Sequence, residues 1–346
     1  MIVGSDYVWS IERLYKKYLE EAGAEVSFFA AQNRFYEYYH KSVFRKLLFR
    51  AGLSGVLGQI NESLLAEVER LRPDVIWVFK GMELYPKTLS ALRKTGTLLV
   101  NFNGDNPFIF TSRGSGNKYV YQSLPLYDLH FTYNLEIKAR LDREYNAKTL
   151  LLPFGFDVSD EVYEACRLEE EVSRVCFIGN PDPARAGFIN ELAAANIPID
   201  IFGSPAWSRA ITNKGVTVHP AIYGDDFWKA LRRYRVQLNL MRPHNENSHN
   251  MRSFEIPAIG GIMLAPATDE HRLFFEDSEE AFLFTGPDSC IEKAREILSI
   301  TRDQAGVVRD RARGRSIKDG YSYRDRAKFV FQEIQKLYAE ARHSSF

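Results

Sequence analysis

Short apolar runs alternate along the whole chain with stretches in which apolar residues return every three or four positions. In the first half the runs fall at 1–3, 25–30, 74–79, 97–102 and 127–133 and are predicted strands. Helical spacing falls between them at 10–22, 62–70, 86–94 and 135–145, and 150–157 closes this half. The acidic, polar stretch 159–171 reads as a connection. A second alternation follows, with strands at 174–178, 199–202, 216–219, 236–241, 262–265 and 282–284. Its helices are predicted at 184–195, 225–234, 251–259, 288–300 and 303–314, before a long amphipathic helix at 323–342. Strand–helix alternation of this kind implies mostly parallel sheets, one in each half. The predicted division is 1–157, 158–320 and a closing helix in 321–346.

Ligands of open parallel sheets bind outside the carboxyl ends of the strands. The richest such end is 239–263, where a buried strand leads into a polar loop holding His244, Glu246, His249 and Asn250. A short helix with Arg252 and Glu255 follows and stops at Gly260 and Gly261. A helix N-terminus there favours an anion such as a phosphate. Arg252 and Glu255 are three positions apart and share a helix face. That face suits a diphosphate and a ribose hydroxyl pair; a surface Arg–Glu pair is the other reading.

Composition narrows the class. With 346 residues, 45% apolar and 26% charged, the chain has the makeup of a two-domain globular protein. Lys+Arg and Asp+Glu balance at 45 each, which gives no electrostatic case for nucleic acid. Cys166, Cys176 and Cys290 lack paired or metal-ligand spacing. No transmembrane run and no signal-peptide pattern are present, and the expected location is cytoplasmic. The segment 32–50 interleaves Phe and Tyr with Lys and Arg; it reads either as a helix with a buried aromatic stripe or as a surface for a membrane inner face or an acidic acceptor.

Other strand ends supply candidate chemistry. Asp105 follows the strand at 97–102, where a carboxylate can take a proton from an attacking hydroxyl. It also suits the turn before Pro107. Asp6 and His130 are rivals. Gly179 and Asn180 follow the first strand of the second half, where a Gly loop lets backbone N–H groups approach a phosphate and Arg185 can pair with it. Tyr223 is a stacking candidate. His244 and His249 with Glu246 between them lack the helical His-x-x-x-His metal spacing, and no metal site is expected.

The pattern Asn250-Met251-Arg252-x-Phe254-Glu255-Ile256-x-Ala258-x-Gly260-Gly261 resembles the donor site of the spore-maturation-protein (CgeB-like) group of glycosyltransferases. Gly179 with Arg185, Gly203 with Trp207, and Tyr321-Ser322-Tyr323-Arg324-x-Arg326 resemble the group in the same order. The resemblance covers most of the chain and is strongest over 174–326. It implies the glycosyltransferase-B fold, two Rossmann-like doubly wound domains facing a cleft. It further implies a nucleotide-diphosphate sugar as donor and no other cofactor. The acceptor would be a glycan, a lipid-linked molecule or a protein, as in cell-surface glycan synthesis. Gly179, Asn180, Arg185, Gly203, Tyr223, His249, Asn250, Met251, Arg252 and Glu255 would bind the donor, and Asp105 would be catalytic. Retaining relatives carry a second Glu eight positions before the ribose-binding one; here that position is Asn247.

Overall fold

The computed structural model describes residues 1–109, 116–245 and 247–343. The first sheet holds β1 (Ile2–Val3), β2 (Phe28–Phe29), β3 (Val75–Phe79), β4 (Leu98–Asn103), β5 (Leu129–Thr132) and β6 (Thr149–Leu151). Their order is β2-β1-β3-β4-β5-β6, and every neighbouring pair is parallel. The second sheet holds β7 (Val172–Ile178), β8 (Ile199–Gly203), β9 (Val216–Pro220), β10 (Tyr234–Leu238), β11 (Met263–Pro266) and β12 (Phe282–Phe284). Its order is β12-β11-β10-β7-β8-β9, again parallel throughout. Both are Rossmann-like α/β sheets with helices in the crossovers.

Burial explains the apolar runs. Ile76, Trp77, Val78 and Phe79 of β3 are all buried, as expected of a strand covered on both faces. In the second sheet Leu264 packs in one core cluster with Val175, Ile201 and Ile297. Its neighbours Met263 and Ala265 pack in another, with Cys166, Leu231 and Ile256. Alternate residues thus serve alternate faces.

The order of strands reverses at one place in each sheet. In the first, the chain leaves β1 toward β2 and returns to the other side of β1 with β3. In the second, β8 and β9 lie to one side of β7, and β10 starts the other. Such switch points leave a crevice at the carboxyl edge, where adjacent loops part.

The chain divides into two compact units, Met1–Pro153 with the C-terminal helix Tyr323–His343, and Phe154–Ser322. The division lies a few residues from 157/158 because Phe154 and Phe156 pack in the second unit; Phe156 bridges to Ser322 there. The stretch 159–171 is not a free connection. It forms a helix, Asp160–Arg167, against helix Gly224–Arg233, and Glu171 is held by Arg235 and Arg309. The segment 32–50 is two helices, Ala31–His40 and Val43–Arg50, broken where Ser42 caps the second. Among the described residues no helix is long and apolar enough to cross a membrane.

Candidate functional site

At the switch point of the second sheet, the loops after β7 and β10 meet around a cavity of about 30 Å³. Arg185, Asn239, Leu240, Asn250 and Arg252 line it. Arg185 comes from the first turn of helix Pro183–Ala194 and donates from Nη2 to Leu240 O at 2.7 Å and from Nη1 to Asn180 O at 3.2 Å. Burial holds its pKa below the ordinary value; Asp182 opposes this, and Arg242 and Arg252 add to it. Two other guanidinium groups therefore act on Arg185 here. Arg252 is ion-paired with Glu255 and lies 4.3 Å over the Phe227 ring. Its Nε is buried without a hydrogen-bond partner, as is that of Arg185.

Each of the two helix starts has one backbone N–H taken by a side chain. Asp182 accepts from Arg185 N at 3.0 Å, and Asn250 Oδ1 accepts from Ser253 N at 3.2 Å. At this edge the guanidinium groups add positive charge to that of the helix N-termini. The N–H of Gly179 donates to Phe202 O at 3.0 Å within the sheet, so it does not point at a ligand. The Gly179 carbonyl accepts the indole N–H of Trp207 at 2.7 Å. Gly203 makes room for that ring, since a Cβ there would lie 2.3 Å from Gly179 O and 2.6 Å from Trp207 Nε1. Gly179, Gly203 and Trp207 form one lock beneath the loop.

Asn250 sits in a buried polar network that the sequence did not reveal. Its Nδ2 donates to Asn239 Oδ1 at 2.8 Å, and Asn239 donates to Ser253 Oγ at 3.1 Å. Ser253 Oγ lies 2.8 Å from His271 Nε2, and His271 Nδ1 lies 2.7 Å from Pro266 O. Burial pushes the His271 pKa down to about 4. The ring is neutral, with its proton on Nδ1 toward the carbonyl. His249 is fully buried: Nδ1 is 2.5 Å from Glu270 Oε2, and Nε2 accepts from Phe154 N at 3.2 Å. With both nitrogens engaged, His249 anchors the loop instead of facing a donor. Met251 is half-buried at the helix start, and Tyr223 is 80% exposed and outside the cavity lining. Glu246 lies outside the described residues, as does the side chain of His244.

The first sheet gathers charge at its own switch point. Lys80, just past β3, takes φ +58°, and its Nζ donates to Asp105 Oδ2 at 2.6 Å. Asp105 N is held by Asn103 Oδ1 at 3.0 Å. Burial works against the Lys80 charge, but Asp105, Glu12 and Tyr36 outweigh it and raise its pKa. Burial raises Glu12, against hydrogen bonds that include Ser5 N at 3.0 Å, and pushes Glu83 up to about 7. Lys80, Glu12 and Glu83 were missed from sequence, although Lys80-Gly81 directly follows the apolar run at 74–79. The two rivals of Asp105 also have partners. Asp6 is exposed and paired with Arg13 at 3.2 Å. His130 is buried within the sheet, 2.9 Å from Leu124 O, with a pKa lowered by burial to about 4.

Residues 185–332, which include Arg185, Asn250, Arg252 and Glu255, match the model of a family described as glycosyl transferase-like. No curated protein matches the chain. Solved structures do. Sucrose-phosphate synthase from Thermosynechococcus elongatus aligns over 98% of this chain and 99% of its own, with 13% identity and a TM-score of 0.69. A UDP-forming α,α-trehalose-phosphate synthase from Burkholderia xenovorans aligns over 97% and 98%, with 13% identity and a TM-score of 0.63. A protein described as a UDP-N-acetylglucosamine 2-epimerase from Listeria monocytogenes aligns over 98% and 97%, with 14% identity and a TM-score of 0.57. At such identities the likeness is one of fold, and the fold is glycosyltransferase-B.

Proposed function

We propose that this protein is a glycosyltransferase that moves a sugar from a nucleotide-diphosphate sugar to a hydroxyl acceptor without a metal. The observation that carries the reading is the meeting of Arg185, Asn250 and Arg252 at one switch-point cavity, inside the stretch that matches the glycosyl transferase-like model. In this reading Phe154–Ser322 holds the donor. Arg185 and Arg252, with Arg242 nearby, stabilise charge on the leaving diphosphate. The Arg252–Glu255 pair opens when nucleotide binds: Glu255 passes to the ribose hydroxyls and Arg252 to the phosphate. The N-terminal unit presents the acceptor, a glycan, a lipid-linked molecule or a protein. As the acceptor oxygen bonds to the anomeric carbon, the carbon–diphosphate bond breaks and the acceptor proton passes to Asp105.

The test is product mass spectrometry over a panel of nucleotide sugars. UDP-sugars come first because one structural neighbour is described as UDP-forming. Thermal shifts with nucleoside diphosphates accompany it, because a ligand of the native state raises the melting temperature. A second reading is a non-catalytic nucleotide- or sugar-binding protein. It is favoured by Asn247, exposed and weakly bonded to Asp269 at 3.4 Å, where resembled retaining enzymes carry Glu. Nucleotide binding with neither transfer nor hydrolysis of any donor would favour that reading.

A further inference from the structure

Helix Val43–Arg50 turns its apolar residues outward. Phe49 is its inward anchor, with ring centroids 4.8 Å from Phe35 and 5.7 Å from Tyr39. Val43, Phe44 and Leu47 lie within about 100° of one another around the opposite side of the helix. They are 73%, 67% and 57% exposed, and Leu53 just beyond is 74% exposed. Single exposed apolar residues are ordinary, whereas a cluster of this kind marks an interaction surface.

The charges of this segment are of one sign. Lys41, Arg45, Lys46 and Arg50 lie on the helix or next to it, and no Asp or Glu occurs between Glu37 and Glu62. Arg45 lies 4.8 Å over the Tyr38 ring and Lys46 lies 5.5 Å over Tyr39, so both cations are held beside the helix. Lys41 and Arg50 are exposed.

We propose that this face docks on the surface of an anionic lipid bilayer. Phe44, Leu47 and Val43 enter the headgroup–acyl boundary, and the long basic side chains keep their charge among the anionic headgroups. A second copy of this chain is a poorer occupant, because a two-fold contact would set the same four cations against themselves. The proposal does not depend on the transfer reaction.

Cosedimentation of the full chain with vesicles tests it. Wild type should sediment with vesicles of mixed phosphatidylglycerol and phosphatidylcholine, less so at high salt, and not with phosphatidylcholine alone. The Phe44→Ser/Leu47→Ser double variant should lose binding by about tenfold or more. Lys41→Glu/Arg50→Glu should do the same, and both should keep the wild-type melting temperature, since all four side chains are exposed. Absence of binding, equal binding to phosphatidylcholine alone, or folded variants that bind like wild type would overturn the proposal. A lipid-free dimer of wild type that Phe44→Ser/Leu47→Ser turns into monomer would overturn it in favour of a second copy.

Discussion

Lys80 Nζ meets Asp105 Oδ2 at 2.6 Å, which joins the carboxyl ends of β3 and β4 by an ion pair. Lys80 reaches it from a left-handed backbone position, φ +58°, that non-glycine residues seldom adopt. Backbone strain of this kind gathers at functional sites. The pair thereby holds a carboxylate where a parallel sheet presents its ligand.

Asp105→Asn keeps the side-chain shape and removes the proton acceptor. Turnover is predicted to fall by about 10²–10⁴-fold, the usual worth of general-base assistance. Donor affinity should stay constant if Phe154–Ser322 alone binds the nucleotide. Steady-state kinetics with calorimetry on the same variant checks both. Unchanged turnover would remove Asp105 from the chemistry.

For Arg252 and Glu255, nucleoside diphosphate binding is the readout. Arg252→Ala should weaken it by about 1.5–3 kcal/mol, the range for hydrogen bonds to charged groups. Glu255→Gln should weaken nucleotide binding and leave the melting temperature near wild type. Because the pair opens only when nucleotide binds, each single variant is spared the cost of opening it, and the double variant should lose more than the sum of the single losses. Additive losses in calorimetry would mean that the pair does not open for the ligand.

Gly203→Ala forces a methyl group into the 2.3 Å gap before Gly179 O. Overpacking of this kind costs about 1–3 kcal/mol. Trp207→Phe breaks the 2.7 Å hydrogen bond and leaves a carbonyl without its donor, at about 1–3 kcal/mol. Urea denaturation of the two variants measures these costs. Losses near zero in both would dismiss the lock.

Two buried histidines act against stability well above the carboxylate range. His130 and His271 are buried neutral, with pKa values lowered to about 4 from an ordinary 6.5. The unfolded chain takes up protons near 6.5 that these two rings refuse, so both sites lose stability as pH drops from 6.5 toward 4, while Glu83, raised to about 7, works the other way over the same window. Each histidine accounts for up to about 3 kcal/mol across that window. Denaturant titrations at stepped pH should show a smaller loss of stability toward acid in His271→Gln than in wild type. An equal loss in that variant would clear His271.

What was legible in the sequence was local. The buried strands were readable because residues such as Ile76 to Phe79 are apolar without a break, and a parallel sheet covered on both faces demands that. The switch-point loops were readable because polar residues follow those runs directly. The partners were not. Lys80 and Asp105 stand 25 positions apart, Trp207 and Gly179 28, and His249 and Glu270 21. No periodicity links residues across such separations; strand order does. Sequence alone also left open which way helix Val43–Arg50 turns, because aromatic and basic residues occur on all its sides. The stretch 159–171 hid a helix because its core contact is small, with Cys166 its buried residue.

The C-terminal helix Tyr323–His343 belongs to the unit that the N-terminus begins. Tyr323 packs edge-on to Tyr15 with centroids 5.6 Å apart, and Tyr338 Oη donates to Asp74 Oδ1 at 2.8 Å. The second unit, by contrast, is one unbroken stretch of chain. During synthesis that stretch can settle as soon as it has emerged, since it waits for nothing downstream. The unit translated first must instead remain incomplete until the helix Tyr323–His343 has been made. A released chain that ends at Ser322 should therefore present a protease-resistant Phe154–Ser322 and a still digestible N-terminal unit.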